Sequence, residues 1–431
     1  CFMSGIVLRA LGVKNFGPFK DGVYFTTDTD TSKKEFWNNT FSEGDLTFNR
    51  ISYIFGANGS GKSNFCKAIL QIQSLISISP LLSANNPQLL ELSPLKITTG
   101  DLDRHFLFEA SSKDVPSDYM IEILMDGTTY TYSFSIKNGV VISEVLSKKK
   151  MRTTVILNRT SPNFNSIQLK SELSSFTPNI SVVKERALCL SMAAFLNNPF
   201  ASKLVDAINS ISVVNMASLN GLRNISPDNF NENIRQKCLN FLRDVDPTLN
   251  DLAVEFTEEK VDTRKLPLEI NDLEGRELIV KNVRVNVQSK HSVYDKDSIV
   301  DQIHLPFLKY ESSGTIKILG ILPIIFQALD SGSPVIIDEL ENGLHPTMLK
   351  LILGLFNSPQ TNPMNAQLIC TTHALALAEN SVRRDQVWVI SKDSHGCSSM
   401  KRISEYPGTR TTDNIAEKYL SNAFGSIPSF Y

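Results

Sequence analysis

The octapeptide Gly56-Ala57-Asn58-Gly59-Ser60-Gly61-Lys62-Ser63 constrains this chain more than any other feature. It fits G-x-x-x-x-G-K-[ST], with an apolar run over 51–55 before it and a helical pattern over 62–78 after it. That is the strand–loop–helix setting of a phosphate-binding loop. The glycines let the backbone curl so that successive N–H groups point at phosphate oxygens, and the following helix adds its positive end. Lys62 is expected at the β- and γ-phosphates and the Ser63 hydroxyl on Mg²⁺, with Asn64 closing the nucleotide-contacting stretch. A glycine-rich turn that merely packs tightly does not explain a Lys-Ser pair directly after the last glycine. The expected fold class is α/β.

Residues Pro334-Val335-Ile336-Ile337-Asp338-Glu339 read as a buried strand ending in two carboxylates. Beside a phosphate-binding loop, the first acid holds Mg²⁺ and an adjacent Glu orients the attacking water. Asp338 is therefore assigned to the metal and Glu339 to general base or water positioning. Water is a poor nucleophile until it is aligned and partly relieved of a proton. Upstream, Glu311-Ser312-Ser313-Gly314-Thr315 opens a helix expected over 316–329. Its serine hydroxyl and N–H groups suit a second γ-phosphate, and they suit a plain capped helix start equally well. Downstream, Leu340 to Pro346 is a turn built on Asn342-Gly343. A strand over 367–372 then leads into His373; a lone histidine at a strand end is ordinarily structural, but at this remove from an Asp-Glu pair it equally suits contact with a γ-phosphate.

Elsewhere the pattern divides the chain into blocks. A strand is expected over 6–13, followed by a turn at Asn15 to Phe19, while Pro80, Pro87 and Pro94 are expected to interrupt any regular element. Short alternating segments over 104–155, separated by Asp126-Gly127 and Asn138-Gly139, predict an antiparallel β layer. Helical spacing is expected over 184–252 and strands over 253–310, where Glu269 to Lys290 alternates around Leu273-Glu274-Gly275. A last helix over 414–421 has Asp413 as its expected cap. The resulting division is an α/β head in two parts, 3–110 and 306–431, separated by a β-rich and helical insertion over 111–305.

Composition narrows the partners. With 42% hydrophobic and 20% charged residues the chain is an ordinary globular one, and its net charge of −2 argues against a surface dominated by nucleic acid. The one dense basic run, Lys148 to Arg152 followed by Arg159, suits phosphates of a nucleic acid or a lysine-protected strand edge. Mixed charge around Arg235, Lys237 and Arg243 is equally compatible with a protein partner and with nucleic acid. No uninterrupted apolar run reaches the roughly 18 residues of a membrane span. Cys1-Phe2-Met3 lacks signal-peptide order, and six scattered cysteines without a CxxC pair read as reduced thiols, so a cytoplasmic setting is expected.

Taken together, the motifs resemble the ABC-type ATPase heads of the SMC/RecF/OLD superfamily, in the branch of small bacterial AAA-family defence ATPases. The likeness covers roughly 3–110 and 305–431. It implies a P-loop ABC-type ATPase head with an inserted antiparallel β layer and helical subdomain, using ATP and Mg²⁺. By it, Gly56 to Ser63 is Walker A, Ser312-Ser313-Gly314-Thr315 the signature and Asp338-Glu339 Walker B. Glu341 to Pro346 matches the D-loop and His373 the switch histidine, a catalytic role beside Lys62 and Glu339. Val13 to Phe19 looks like the strand-turn that lies near the nucleotide. The signature departs from Leu-Ser-Gly-Gly, and the Q-loop candidates are Gln71, Gln73 and Gln88.

The resemblance also implies that two heads pair head-to-tail, as a dimer or within a higher homo-oligomer, each nucleotide being covered by the partner's Ser313 and Gly314. Lys62 and Ser313 lie about 250 positions apart, more than a compact transporter head requires, and no long heptad run stands between them. Tyr419 to Pro428 looks like the ending of small defence ATPases encoded beside a separate nuclease. About 58 residues follow His373 without an acidic TOPRIM cluster, so a TOPRIM or HNH nuclease is expected on a second chain. The leading expectation is an ATP-gated regulator of anti-phage abortive infection. A RecF-like DNA-repair clamp and an ATP-binding scaffold with little turnover are its rivals.

Overall fold

The structure, a computed structural model, describes residues 5–83, 104–219, 221–222, 224–260, 281–378, 382–408 and 413–425. The chain opens with β1 (Val7–Lys14), β2 (Val23–Thr26), β3 (Thr40–Glu43), β4 (Leu46–Asn49), β5 (Ile51–Phe55) and α1 (Lys62–Ser83). Next come β6 (Ser117–Met125), β7 (Thr128–Lys137), β8 (Val140–Lys149), β9 (Thr153–Arg159) and β10 (Ile167–Leu169). They lead to α2 (Cys189–Phe195), α3 (Pro199–Asn209), β11 (Ser212–Asn215), α4 (Glu232–Val245), β12 (Leu249–Lys260), β13 (Lys281–Asp295) and β14 (Ser298–Pro306). The remainder is α5 (Phe307–Tyr310), α6 (Ser313–Ser331), β15 (Val335–Asp338), α7 (Pro346–Asn357), β16 (Leu368–Thr371), β17 (Val387–Lys392), β18 (Ser398–Arg402) and α8 (Ile415–Leu420).

Two units divide the chain. The first comprises Cys1–Asn215, Ala328–Glu341 and Leu351–Tyr431. Its six-stranded sheet has the order β11-β15-β16-β5-β17-β18, with every pair parallel except β17 with β18. β5, β15 and β16 are buried along their whole length, as continuous apolar runs must be when a parallel sheet is covered on both faces. A seven-stranded antiparallel sheet has the order β10-β9-β8-β7-β6-β1-β2. Asp126 with Gly127 and Asn138 with Gly139 all take positive φ and close the β6–β7 and β7–β8 hairpins, as their dipeptides predict. This sheet also recruits β1 and β2 from outside the 104–155 stretch. Phe65, Ile69, Ile72 and Ile76 of α1 join one apolar cluster with residues of both sheets, so the helix is apolar around most of its circumference.

Three expectations fail here. α1 runs through Pro80 to Ser83. A proline inside a helix forfeits a single backbone N–H bond, and the Ser79 hydroxyl beside it donates to the Leu75 carbonyl at 2.7 Å. Within the span expected to be helical, β11 is a strand, because Ser212 to Asn215 pair in parallel with Val335 to Asp338. Four residues are too few for periodicity to decide, and the neighbouring strand decides instead. At α8 the cap is Asn414, whose side chain accepts from the Glu417 N–H at 3.2 Å, while Asp413 pairs with Lys418. Pro87, Pro94, Gln88 and the alternating residues around 273–275 lie outside the described residues, as do the last residues of the 419–428 tail.

The second unit comprises Met216–Gln327 and Asn342–Lys350. Its antiparallel sheet has the order β12-β13-β14. α4 is tied to β12 by Arg235, which donates to Asp251 at 2.6 Å and to the Leu252 carbonyl at 2.8 Å. By length and composition α1 and α6 would each suffice to cross a membrane, yet more than half of each apolar window is buried within the fold.

Candidate active site

β15, β16 and β5 are consecutive neighbours in the parallel sheet, so their C-terminal ends lie side by side. Those ends carry Asp338-Glu339, Thr371 to His373 and the loop from Gly56. In an open α/β sheet this is the edge at which ligands bind.

The loop shows why it must be rich in glycine. Gly59 and Gly61 have φ of +75° and +115°. A Cβ on Gly56 would strike the Ser60 hydroxyl and, at 2.6 Å, the Ile390 carbonyl oxygen. One on Gly61 would meet Pro18 at 3.0 Å, so the Asn15 to Phe19 turn packs directly against the loop. Gly17 in turn lies against Asn64, which opens the first turn of α1 with Lys62 and Ser63. The Ser398 hydroxyl donates to the Ser60 carbonyl at 2.6 Å, and its N–H donates to the Pro18 carbonyl at 2.8 Å. Turn and loop are thereby tethered to one buried serine.

Lys62 is buried, and its ammonium donates to the carbonyls of Gly56 at 2.7 Å and Ala57 at 3.1 Å. Burial pushes its pKa down to about 8, against the opposing pull of Asp338, Glu341 and Glu339. The same three acids act on His373, whose pKa falls below its ordinary value through burial and the Lys62 charge. At neutral pH the imidazole is chiefly uncharged. Lys62, His373 and the acids thus share one electrostatic neighbourhood.

Asp338 is 2% exposed and accepts at both oxygens, from the Thr371 hydroxyl and from the Asn215 amide, each at 2.6 Å. Glu339 sits at a φ of +56°, a region that few residues other than glycine adopt, and its N–H donates to the Thr371 hydroxyl at 2.8 Å. Glu341 accepts from the His373 N–H at 2.5 Å. Its Oε2 and the Ser60 hydroxyl are buried with no hydrogen-bond partner among the described residues. A curled glycine loop, a buried lysine and oriented acids fit a triphosphate with its magnesium.

Within the second unit, Ser312 caps α6: its hydroxyl accepts from the Thr315 N–H at 3.1 Å. Ser313 and Gly314 form the first turn, and a Cβ on Gly314 would lie 3.2 Å from the Gly343 carbonyl oxygen. Lys317 donates to the Asn342 side chain at 2.7 Å, and Gly343, at φ +77°, lies so near that a Cβ there would be 2.9 Å from the Lys317 ammonium. The start of α6 and the turn after the acids therefore pack on each other.

Other sequence candidates fall elsewhere. Gln73 on α1 donates to the carbonyls of Ile208 and Ile211, which makes it a helix tether. Gln71 is buried on the same helix. Arg159 is no surface cation: it is 0% exposed, donates to the carbonyls of Ala187 and Pro162, and lies 3.9 Å from the equally buried Glu144. Lys149, Lys150 and Arg152 remain exposed at the β8–β9 hairpin, while Lys148 pairs with Glu172. Asn215, Thr371 and Ser398 were missed, and Glu341 was placed only in the D-loop match. Thr371 had a signal, the hydroxyl pair Thr371-Thr372 directly before His373. Asn215 and Ser398 had none, being single polar residues at strand ends that pairing alone brings here.

The model of a family described as "AAA domain, putative AbiEii toxin, Type IV TA system" matches residues 51–171 and 218–379. Among solved structures, an SMC head domain from Thermotoga maritima aligns at 12% identity and a TM-score of 0.34, covering 92% of this chain and 98% of that chain. No curated protein matches the sequence.

Proposed function

The chain belongs to this AAA-domain family, and from that premise we propose that it is an SMC/RecF-like ABC ATPase that hydrolyses ATP with Mg²⁺ at the edge formed by β15, β16 and β5. The observation that carries the reading is the convergence of Lys62, Asp338, Glu339 and His373 at adjacent strand ends. Gly56 to Asn64 bind the phosphates through the loop and the helix start, and Lys62 exchanges the loop carbonyls for β- and γ-oxygens. Ser63 and Asp338 hold the metal. Magnesium, when bound, draws charge from the phosphates. Glu339 orients the attacking water and takes its proton. The neutral His373 contacts the γ-phosphate, donating from its imidazole.

We further propose that two copies pair head-to-tail, as a dimer or within a larger homo-oligomer, so that Ser312, Ser313 and Gly314 of one cover the nucleotide of the other. A triphosphate carries about four negative charges, and N–H groups at a second helix start match the charge left facing outward. The head is taken as 3–110 with 306–431, and 111–305 as the insertion that carries partner specificity. The family's description names a "putative AbiEii toxin" of a type IV toxin–antitoxin system. On the motif resemblance and the 419–428 ending, the proposed role is a sensor and regulator in anti-phage defence acting on a separately encoded effector, a TOPRIM or HNH nuclease. The exposed cations at the β8–β9 hairpin favour the RecF-like alternative, for which duplex-DNA affinity should rise with ATP and fall steeply with salt.

Glu339→Gln tests the chemistry: it should retain ATP and accumulate paired heads in sedimentation while turnover falls by about 100-fold or more. Turnover equal to wild type removes Glu339 from the reaction. Ser313→Arg should abolish ATP-dependent pairing, and an unimpaired dimer overturns the shared interface.

A further inference from the structure

Strand β16 does more than present His373. Thr371, its last residue, is 0% exposed, and its single hydroxyl both donates and accepts. The proton goes to Asp338 Oδ1 at 2.6 Å, and the oxygen accepts the Glu339 N–H at 2.8 Å. Its carbonyl accepts the Leu340 N–H at 3.1 Å, and two residues on, the His373 N–H is held by Glu341 at 2.5 Å. Every residue from 338 to 341 is therefore bonded to the segment 371–373.

The Glu339 backbone makes this lock consequential. A non-glycine residue at φ +56° persists only where its surroundings hold it. The bond from its N–H to Thr371 is such a hold, and the same hydroxyl sets the rotation of the Asp338 carboxylate. Asp338 Oδ2 is fixed from the other side by Asn215 at 2.6 Å. A valine at 371 would keep the shape and the β-branched strand preference but offer neither donor nor acceptor. A serine would keep both.

We propose that Thr371 is a positioning residue whose one hydroxyl sets Asp338 and Glu339 together, so that the metal carboxylate and the water-orienting carboxylate adopt a fixed relative geometry. This rests on the reading of those two acids given above. Groups that orient metal ligands typically influence affinity or rate by about 10–100-fold. Thr371→Val should therefore lower kcat by at least about 10-fold while KM for ATP changes by less than about 3-fold. It should also raise the Mg²⁺ concentration needed for half-maximal ATP affinity by about 10-fold, a binding readout independent of turnover. Thr371→Ser should return both to within about 3-fold of wild type.

Thermal melting of each variant confirms that it is folded. Glu339→Gln is assayed alongside. If Glu339→Gln turns over like wild type, the assignment of the acids fails. If Glu339→Gln is inactive while Thr371→Val matches wild type in rate and Mg²⁺ dependence, the positioning role of Thr371 is wrong. Equal impairment in Thr371→Ser and Thr371→Val also overturns it, because the loss then follows packing of the methyl group.

Discussion

Lys62→Met should make the ligand-free protein more stable while abolishing its binding of nucleotide. The lysine lies within the loop with its ammonium on two carbonyls, and burial lowers its pKa from 10.5 to about 8. A fall of that size corresponds to about 3 kcal/mol of cost in folding the charged form. Screening on the solvent-facing side of the loop reduces the expected value to about 2 kcal/mol. The sign follows from linkage. Because the folded pKa lies below the unfolded one, the cost is fully present below pH 8 and disappears as pH rises from 8 to 10.5. Methionine has a similar length and carries no charge, so its stability should lack this pH dependence.

Both tryptophans, Trp37 and Trp388, belong to the first unit, so their fluorescence in urea reports the unit that holds Lys62. At pH 7 the Lys62→Met midpoint should exceed wild type by about 0.7–1 M urea, given a slope of about 2–3 kcal/mol per M. The gap should close towards pH 10.5. Added MgATP should raise the wild-type midpoint and leave the variant unmoved. A variant less stable than wild type at pH 7, or a gap independent of pH, would refute the claim that the lysine is held at a cost until phosphate arrives.

Two further outcomes follow from buried groups. Arg159→Leu should destabilise the first unit by about 3–5 kcal/mol, read from the same urea transition, because Glu144 and several carbonyls would lose their cation. Wild-type stability in this variant would show that the Arg159–Glu144 cluster is dispensable. Ser398→Ala removes the bond to the Ser60 carbonyl and should weaken ATP binding by about fivefold, measured by titration calorimetry, with little effect on the melting temperature. Unchanged affinity would mean that the loop holds its shape without the tether.

Legibility differed with the range of the interactions involved. The phosphate loop was readable because its chemistry lies within eight consecutive residues, and its strand and helix flank it in the chain. The Asp126-Gly127 and Asn138-Gly139 hairpins were readable for the same reason, since a two-residue turn fixes its own φ values. β11 was not, because Ser212 to Asn215 carry no periodic signal and become a strand only beside Val335 to Asp338. Arg159 looked like part of a basic run until burial and its carbonyl partners made it a core residue.

By itself the sequence determined which groups are available at the site: the glycines that permit the curl, one lysine, two adjacent acids and a histidine. Tertiary structure alone decided that β16 lies between β15 and β5, which brings the Thr371 hydroxyl onto Asp338 and the Glu339 N–H. It likewise decided that Ser398 and Pro18 grip the loop from distant parts of the chain. The physical reason is that side-chain type and local backbone preference are written residue by residue, whereas sheet order arises from burying apolar strands against one another. Contacts across more than 300 positions leave no mark on the neighbours of either residue.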